Sequence, residues 1–154
     1  MSHTTTLKSV VIRDVQAVEQ AVAELAKQGI SIELLRDAVP RMYYPNQLQK
    51  DTGKATADLV LRLNDGRYDV ALVKQEDGTY LPVFDTWAGH VSNKLGAACP
   101  LPGTPEGNIQ HAIGKFGQEY ARFAATNAAV SQGYTVESSY MDDKGNYQLA
   151  VLVV

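Results

Sequence analysis

The residues of this chain that could perform chemistry are few and dispersed. Its single cysteine, Cys99, needs a nearby base such as His90 or His111, or a helix N-terminus, to become a nucleophile. The sequence contains no Gly-x-Ser-x-Gly element and no two histidines at helical spacing. Residues 51–56 include Gly-Lys but lack the first glycine of a phosphate-binding loop and carry Ala55 where that loop needs a hydroxyl. We therefore assign no catalytic residue, metal ligand or cofactor, which favours a non-enzymatic protein without deciding the question.

Asp85 is the most informative carboxylate. The Asp77-Gly78 dipeptide predicts a two-residue hairpin, whose register places Leu72 opposite Val83 and Val70 opposite Asp85. Asp85 is then expected on the apolar face of the sheet, where an ionised carboxylate is costly unless it is paired or hydrogen-bonded.

Two interpretations of Asp85 stay open. In the first, the carboxylate accepts backbone N–H groups at the end of the sheet. In the second, Asp85 forms a ligand-binding or hydrolytic site with Trp87, His90 and Cys99, in which its pKa would be raised.

A second candidate site is the cluster of aromatic and basic residues Arg41, Tyr43, Tyr44, Lys50 and Lys54. Aromatic side chains beside cations are typical of proteins that bind single-stranded nucleic acid. Tyrosine and arginine are equally typical anchors of protein interfaces. A protein partner or a second copy of the chain therefore has an equal claim on this cluster.

The hydrophobic pattern predicts the elements that must position these residues. Val15 to Gln28 is an amphipathic helix with Asp14 as its N-cap, and a second helix begins at Pro105 and extends as far as Gly133. The segment from Pro40 to about Gly53 is predicted to be an exposed loop, and residues 88–103 are also loop-like. The predicted strands are 5–13, 30–35, 57–63, 67–75, 80–87, 134–141 and 147–153, the last two flanking a turn at 142–145.

The resulting order, β-α-β-β-β-β-α-β-β, indicates an α+β fold with a mainly antiparallel sheet and two helices packed on it. Asp65-Gly66 places Leu61 opposite Val70 and pairs Arg62 with Asp69 across the strands. The predicted core face comprises Leu59, Leu61, Leu63, Tyr68, Val70, Leu72, Leu81, Val83 and Trp87.

The two helix ends suggest an internal α-β-β pseudo-repeat. Residues 28–33 and 132–137 both read Gln-Gly followed by a β pattern. The alternative is that two helix-to-strand junctions share one glycine cap, a common feature of helix ends.

Composition limits the classes of partner. The chain has 154 residues and a formal net charge of −3, with no apolar run long enough to span a membrane. We expect a single domain over residues 1–154, located in the cytoplasm, since no secretory signal precedes it. The acidic balance argues against a surface for duplex DNA.

In order along the chain, several short motifs resemble an uncharacterised family, typified by a conserved hypothetical open-reading-frame protein of algal chloroplasts and cyanobacteria, with bacterial and phage members. The motifs are Met1-Ser2-His3 before a threonine-rich strand, Ala57-Asp58-Leu59-Val60, Tyr68-Asp69-Val70, Asp77-Gly78-x-Tyr80, Asp85-x-Trp87-x-Gly89, Tyr120-Ala121 and Gly133-Tyr134-x-Val136. Two features depart from the family: its Asp-Trp-Trp-Gly reads Asp85-Thr86-Trp87-Ala88-Gly89 here, and residues 91–107 form a longer segment. The resemblance implies a phage or plastid-type accessory protein and no known reaction.

These observations favour a non-enzymatic protein that acts through protein contacts or self-association. The alternatives are a small-molecule or hydrolytic site around Asp85, Trp87 and His90, and single-stranded nucleic-acid binding through residues 41–54.

Overall fold

The computed structural model describes residues 4–6, 11–44, 46–98, 103–141 and 147–152. The strands are β1 (Thr4–Thr6), β2 (Ile32–Ala38), β3 (Ala57–Leu63), β4 (Val70–Lys74), β5 (Tyr80–Asp85), β6 (Thr135–Met141) and β7 (Tyr147–Leu152). The helices are α1 (Val15–Lys27), α2 (Gln47–Thr52), α3 (Ser92–Leu95), α4 (Pro105–Ala112) and α5 (Gly114–Ser131), with a 3-10 turn at Trp87–Gly89.

Five strands form an antiparallel sheet in the order β1-β5-β4-β3-β2, and β6 pairs with β7 in a separate two-stranded sheet. The predicted α+β class with an antiparallel sheet is confirmed. The predicted order of strands and long helices is also confirmed, with the short helices α2 and α3 added to it.

Helix α1 follows its local signals closely. Asp14 Oδ1 accepts the backbone N–H of Ala17 at 3.0 Å, which satisfies one of the free donors at the helix N-terminus. The buried side of the helix carries Ala17, Val18, Ala21, Val22 and Leu25. The helix is therefore held by its apolar stripe as well as by its cap.

The two helix-to-strand junctions have the same geometry. Gly29 and Gly133 adopt φ values of +94° and +87°, and the residue after each glycine donates its N–H to the carbonyl five residues earlier, Leu25 or Ala129. This is the Schellman arrangement, which glycine favours because it lacks a Cβ. An antiparallel pair of strands follows each helix, so the α-β-β order recurs as the sequence suggested.

The predicted second helix is two helices, and the prediction of a single one is wrong. Ile113 has φ −117° and ψ 24°, which separates α4 from α5. A Cβ added to Gly114 would lie 2.5 Å from the Cβ of Ala97, while the N–H of Ala97 donates to the His111 carbonyl at 2.9 Å. The helix is interrupted here because the segment after α3 packs directly against the helix backbone.

The main core lies between one face of the sheet and the helices. Its buried residues come from α1, from the α4–α5 region (Ala112, Ile113, Phe116 and Tyr120) and from the sheet (Leu59, Leu61, Leu63, Tyr68, Val70, Leu72, Tyr80 and Phe84). Polar contacts join the helices as well, since the Tyr120 hydroxyl accepts the N–H groups of Arg13 and Asp14 at 2.9 and 3.1 Å.

The opposite face of the sheet is covered, and the prediction of an exposed loop from Pro40 to Gly53 is wrong. Pro40 and Leu48 are buried and Met42 is half-buried. Leu48 belongs to a second apolar cluster with Ala57, Val60, Ala71, Val73 and Val83. Because these small apolar side chains alternate with polar ones, the sequence predicts that this face is exposed to solvent. Its apolar area is nevertheless large enough to bury one segment.

The register of β3 and β4 is as predicted, with Leu61 opposite Val70 and Leu59 opposite Leu72. The predicted register of β4 and β5 is wrong by one residue, because Leu72 lies opposite Pro82 and Val70 opposite Phe84. Phe84 therefore enters the main core, while Leu81, Val83, Asp85 and Trp87 do not. Each side chain of β5 therefore lies on the face of the sheet opposite to the one predicted for it.

The cause of this shift is the loop between β4 and β5. Gly78 has φ +85°, but Asp77 does not have a positive φ, as a two-residue type I′ turn would require. The N–H of Gln75 donates to the Thr79 carbonyl at 2.7 Å, which closes a three-residue loop instead. One additional loop residue moves every later side chain of β5 to the opposite face.

Several predicted boundaries also shift. Strand β2 begins and ends later than the predicted 30–35, and β4 and β5 are shorter than 67–75 and 80–87. The predicted loop at 88–103 contains the 3-10 turn and α3. Residues 7–10 of the predicted first strand and the predicted turn at 142–145 lie outside the described residues.

Strand β2 is an edge of the five-stranded sheet and contains an irregular residue. Asp37 is exposed and has φ +48°, between the paired residues Arg36 and Ala38. This left-handed conformation is uncommon in a residue other than glycine and interrupts the extended backbone.

Of the helices that the structure describes, none combines the length and apolar character that crossing a bilayer requires.

We expect Gly114→Ala to destabilise the protein by about 1–3 kcal/mol, because the new Cβ would overlap Ala97. Gly117→Ala is the matched control, since a Cβ there meets nothing within 4 Å and alanine favours the helix by up to about 1 kcal/mol. Urea unfolding of both variants measures the difference. Equal shifts in the two variants would contradict the close approach at Gly114.

A pH dependence is expected at the β4–β5 loop. Hydrogen bonds from the Thr79 hydroxyl (2.6 Å) and backbone N–H (3.0 Å) lower the pKa of Asp77. Ionised Asp77 therefore stabilises the fold above its unfolded-state pKa of about 4, and this contribution is lost as the pH falls through the lower folded-state value.

Asp77→Asn should consequently lower the melting temperature at pH 7, and the difference from the wild type should shrink as the pH falls below about 4. Glu76→Gln removes a neighbouring charge from the same loop and serves as the control. A difference for Asp77→Asn that stayed constant down to acid pH would show that the ionised carboxylate does not stabilise this loop.

Candidate functional site

Asp69 is fully buried immediately before β4. It forms the centre of a charged network on the face of the sheet opposite the main core, which we call the second face. Its Oδ1 lies 2.9 Å from Arg41 Nη2 and accepts the Leu63 N–H at 3.3 Å. Its Oδ2 accepts the Arg41 backbone N–H at 2.8 Å and Arg62 Nε at 3.1 Å. The predicted pair between Arg62 and Asp69 is confirmed, with Arg41 as a second cation.

Arg41 is held in this network by its whole guanidinium group. Beyond Asp69, Nη1 donates to the Gly66 carbonyl at 3.0 Å and Nη2 to the Leu63 carbonyl at 2.7 Å. The Asp69 N–H in turn donates to the Arg41 carbonyl at 3.0 Å. The side chain predicted as a cation for a nucleic-acid ligand is therefore a structural element that fixes the segment after β2 to the sheet.

Asp85 is the second buried carboxylate of this face, with 1% of its surface exposed. Its Oδ2 accepts the backbone N–H of Tyr43 at 3.1 Å, and its Oδ1 accepts that of Trp87 at 2.8 Å. The expected position on the main apolar face is wrong because of the register shift. The carboxylate accepts backbone N–H groups at the end of the sheet, which is the arrangement of the first interpretation given for this residue.

These two hydrogen bonds bring three aromatic rings together at the surface. The Tyr43 ring lies 4.8 Å from that of Tyr44 at an interplanar angle of 79°, and 6.1 Å from that of Trp87 at 66°. The three residues are exposed to 50%, 48% and 38%. We call Tyr43, Tyr44 and Trp87 the aromatic cluster.

The backbone around Trp87 is unusual. Ala88 has φ +52° and Gly89 φ +69°, so two consecutive residues occupy the left-handed region. A non-glycine residue in this region costs on the order of 1 kcal/mol, which the surrounding contacts must offset. The resulting tight turn directs the chain from β5 to α3 immediately after Trp87 and leaves the indole at the surface.

His90 contacts the buried Tyr68 edge-on, with ring centroids 5.0 Å apart. Burial raises the pKa of the Tyr68 hydroxyl, the negative charge of Asp85 and the neighbouring Tyr43 raise it further, and Arg67 opposes them. The hydroxyl therefore stays protonated over the physiological range. His90 is linked to the aromatic cluster through its backbone, because its N–H donates to the Trp87 carbonyl at 3.2 Å.

A separate cleft of about 470 Å³ lies beside α3 and α4. Thr86, Ser92, Asn108 and His111 are its polar lining residues, and none of the lining residues that the structure describes is a lysine, an arginine or a carboxylate. Asn108 Oδ1 accepts the Gly103 N–H at 3.1 Å, and the Ser92 hydroxyl donates to the Gly89 carbonyl at 3.3 Å. Neither Asp85, Trp87 nor His90 lines this cleft.

The structure thus brings together five of the six predicted site residues: Asp85, Tyr43 and Trp87 directly, Tyr44 through its ring contact, and His90 through its backbone hydrogen bond to Trp87. The guanidinium of the sixth, Arg41, is bound to the Asp69 carboxylate. Lys50 lies on α2, and Lys54 Nζ lies 3.4 Å from the Lys74 carbonyl. Cys99 lies outside the described residues, within which no three metal-ligating side chains come together.

Sequence reasoning missed the Arg41–Asp69 contact and the ring contact between Tyr68 and His90. Asp69 carries a partial signal, because it lies between Tyr68 and Val70 in a strongly apolar strand. Its partner Arg41 lies 28 residues away, in a segment with no pattern that indicates burial. The pairing of Asp69 with Arg62 alone could be predicted, since it follows from the register.

Comparison of the chain with protein-family models, with curated proteins and with solved structures gave no match. The resemblance to the chloroplast and cyanobacterial family therefore stays a prediction.

We expect Asp69→Asn to lower the free energy of unfolding by about 3 kcal/mol, because two guanidinium groups lose their buried counter-charge. Asp58→Asn is the control: Asp58 is half-buried and accepts one N–H, from Lys74 at 3.0 Å, so its loss should be about 1 kcal/mol or less. Urea unfolding followed by circular dichroism distinguishes the two. Equal losses would show that the Asp69 network contributes no more than an ordinary hydrogen bond.

Proposed function

We propose that this protein is a non-enzymatic binding protein that holds a segment of a partner polypeptide on the aromatic cluster. The observation that carries the proposal is the exposure of three aromatic rings in contact, two of which, Tyr43 and Trp87, have their backbone N–H groups bound to the buried Asp85 carboxylate. Exposed large apolar side chains in the described part of the chain are few: Val11, Val39, Tyr43, Tyr44, Trp87 and Val130. Half of them form this one cluster.

Rigid exposed aromatics are suited to protein recognition. Tyrosine and tryptophan supply a large apolar contact area with a polar tip, and they are enriched among the residues that dominate binding energy. Because Asp85 fixes Tyr43 and Trp87 before binding, little conformational entropy remains to be lost when a partner docks.

The charge arrangement supports a polypeptide over single-stranded nucleic acid. Arg41, the cation nearest to Tyr43 in the chain, has its guanidinium bound to Asp69 and to two carbonyls. Phosphate contacts supply most of the affinity of nonspecific nucleic-acid binding, so the loss of this cation weakens that alternative. Both Asp85 oxygens likewise accept backbone N–H groups, which supports a positioning role over a hydrolytic one.

Selection of a random peptide display library against the protein tests this proposal. Peptides enriched on the wild type should bind Tyr43→Ser at least tenfold more weakly, because the central ring contacts both others. Val130→Ser removes an equally exposed apolar side chain from the end of α5 and should bind as the wild type does.

Failure to enrich any peptide, or equal binding to both variants, would contradict the proposal. Sedimentation of the protein without peptide measures its oligomeric state and tests whether the cluster holds a second copy of the chain. A wild-type dimer that Tyr43→Ser converts to a monomer would identify the occupant as a second copy of the chain instead of a separate partner.

A further inference from the structure

The aromatic cluster has a shape that restricts what it can hold. Tyr43 meets Tyr44 and Trp87 nearly edge-on, so its neighbours' ring planes are inclined to its own by 79° and 66°. Parallel rings would present a flat stacking platform, and from the inclined planes we infer creases between these rings instead. Pyrrolidine rings pack well against such aromatic-lined creases, as recognition of proline-rich segments shows in general.

The polar groups of the cluster are all hydrogen-bond donors or hydroxyls. Among the described residues, the hydroxyls of Tyr43 and Tyr44 and the indole N–H of Trp87 have no hydrogen-bond partner. Their positive hydrogens complement the partial negative charge of peptide carbonyl oxygens. A polyproline II segment offers those carbonyls freely, because this conformation contains no internal hydrogen bonds.

The backbone of the cluster cannot pair with a β-strand at the same points. The N–H groups of Tyr43 and Trp87 both donate to Asp85. Binding by strand addition depends on main-chain hydrogen bonds, and these two donors are already used. Recognition of polyproline II depends on side chains alone.

The area of the cluster favours a short, pre-ordered ligand. Three rings exposed by 38–50% present on the order of 300 Å², given the size of aromatic side chains. A standard interface between folded proteins buries roughly 800 Å² on each partner, which is well above this value. A polyproline II segment loses little entropy on binding, so a small surface suffices for it.

We propose that the aromatic cluster binds a proline-rich segment in the polyproline II conformation. This inference rests on the proposed function, since it names the class of polypeptide that the same surface takes. Neighbouring prolines would occupy the creases beside Tyr43, and carbonyls of the segment would accept hydrogen bonds from the tyrosine hydroxyls and the indole.

Trp87 is the single tryptophan of the chain and lies in the cluster, so its fluorescence reports occupancy directly. The probe is an acetylated and amidated decaproline peptide, with a glycine- and serine-based peptide of equal length as the flexible control. Decaproline should shift the Trp87 emission saturably at up to millimolar concentration. The apparent affinity should fall at least tenfold in Tyr43→Ser and at least threefold in Tyr44→Phe, and remain unchanged in Val130→Ser.

The outcomes separate this inference from the proposed function. If decaproline leaves the emission unchanged while peptides from the display selection shift it, the polyproline II assignment is overturned and the binding function stands. If no peptide of either kind shifts it, both are overturned. Equal responses to decaproline and the control peptide, or an unchanged affinity in Tyr43→Ser, would also overturn the assignment.

Discussion

The burial of the Asp69 carboxylate is the constraint on which the second face of the sheet depends. An ionised carboxylate out of contact with water is tolerated only when it is paired and hydrogen-bonded. The chain must therefore bring Arg41, Arg62 and the Leu63 N–H to one point. Because Arg41 belongs to the segment after β2, satisfying the charge folds that segment back over the sheet, and the burial of Leu48 follows.

Asp85 repeats this solution at the end of the sheet. The two carboxylates accept the backbone N–H groups of Arg41 and Tyr43, which are two residues apart in the chain. The segment is thus held at two points, and Tyr43 and Tyr44 are presented beside Trp87. The surface that we propose for binding is in this sense a product of how the fold accommodates buried charge.

Local signals in the sequence predict the helices and one hairpin correctly. The rest of the fold depends on long-range contacts. Helix α1 and its glycine cap depend on residues that are neighbours in the chain, and hydrophobic alternation gives the β3–β4 register. Asp77-Gly78 is compatible with loops of two or three residues, and the backbone angle of Asp77 decides between them. Arg41 and Asp69 meet across 28 residues, and no periodicity encodes such a contact. The six site residues could be named from their types, but the separation of Arg41 from the aromatic cluster could not.

The left-handed backbone at Asp37 affects how copies of the protein behave when crowded together. An edge strand with regular extended geometry is a template on which another molecule can add a strand and begin an ordered aggregate. On β2 the charged, left-handed Asp37 breaks that template, and β1 at the other edge has three residues. Growth of the five-stranded sheet from molecule to molecule is thereby hindered at the β2 edge. We therefore expect the φ angle of Asp37, together with its charge, to oppose ordered aggregation in concentrated solutions of the protein.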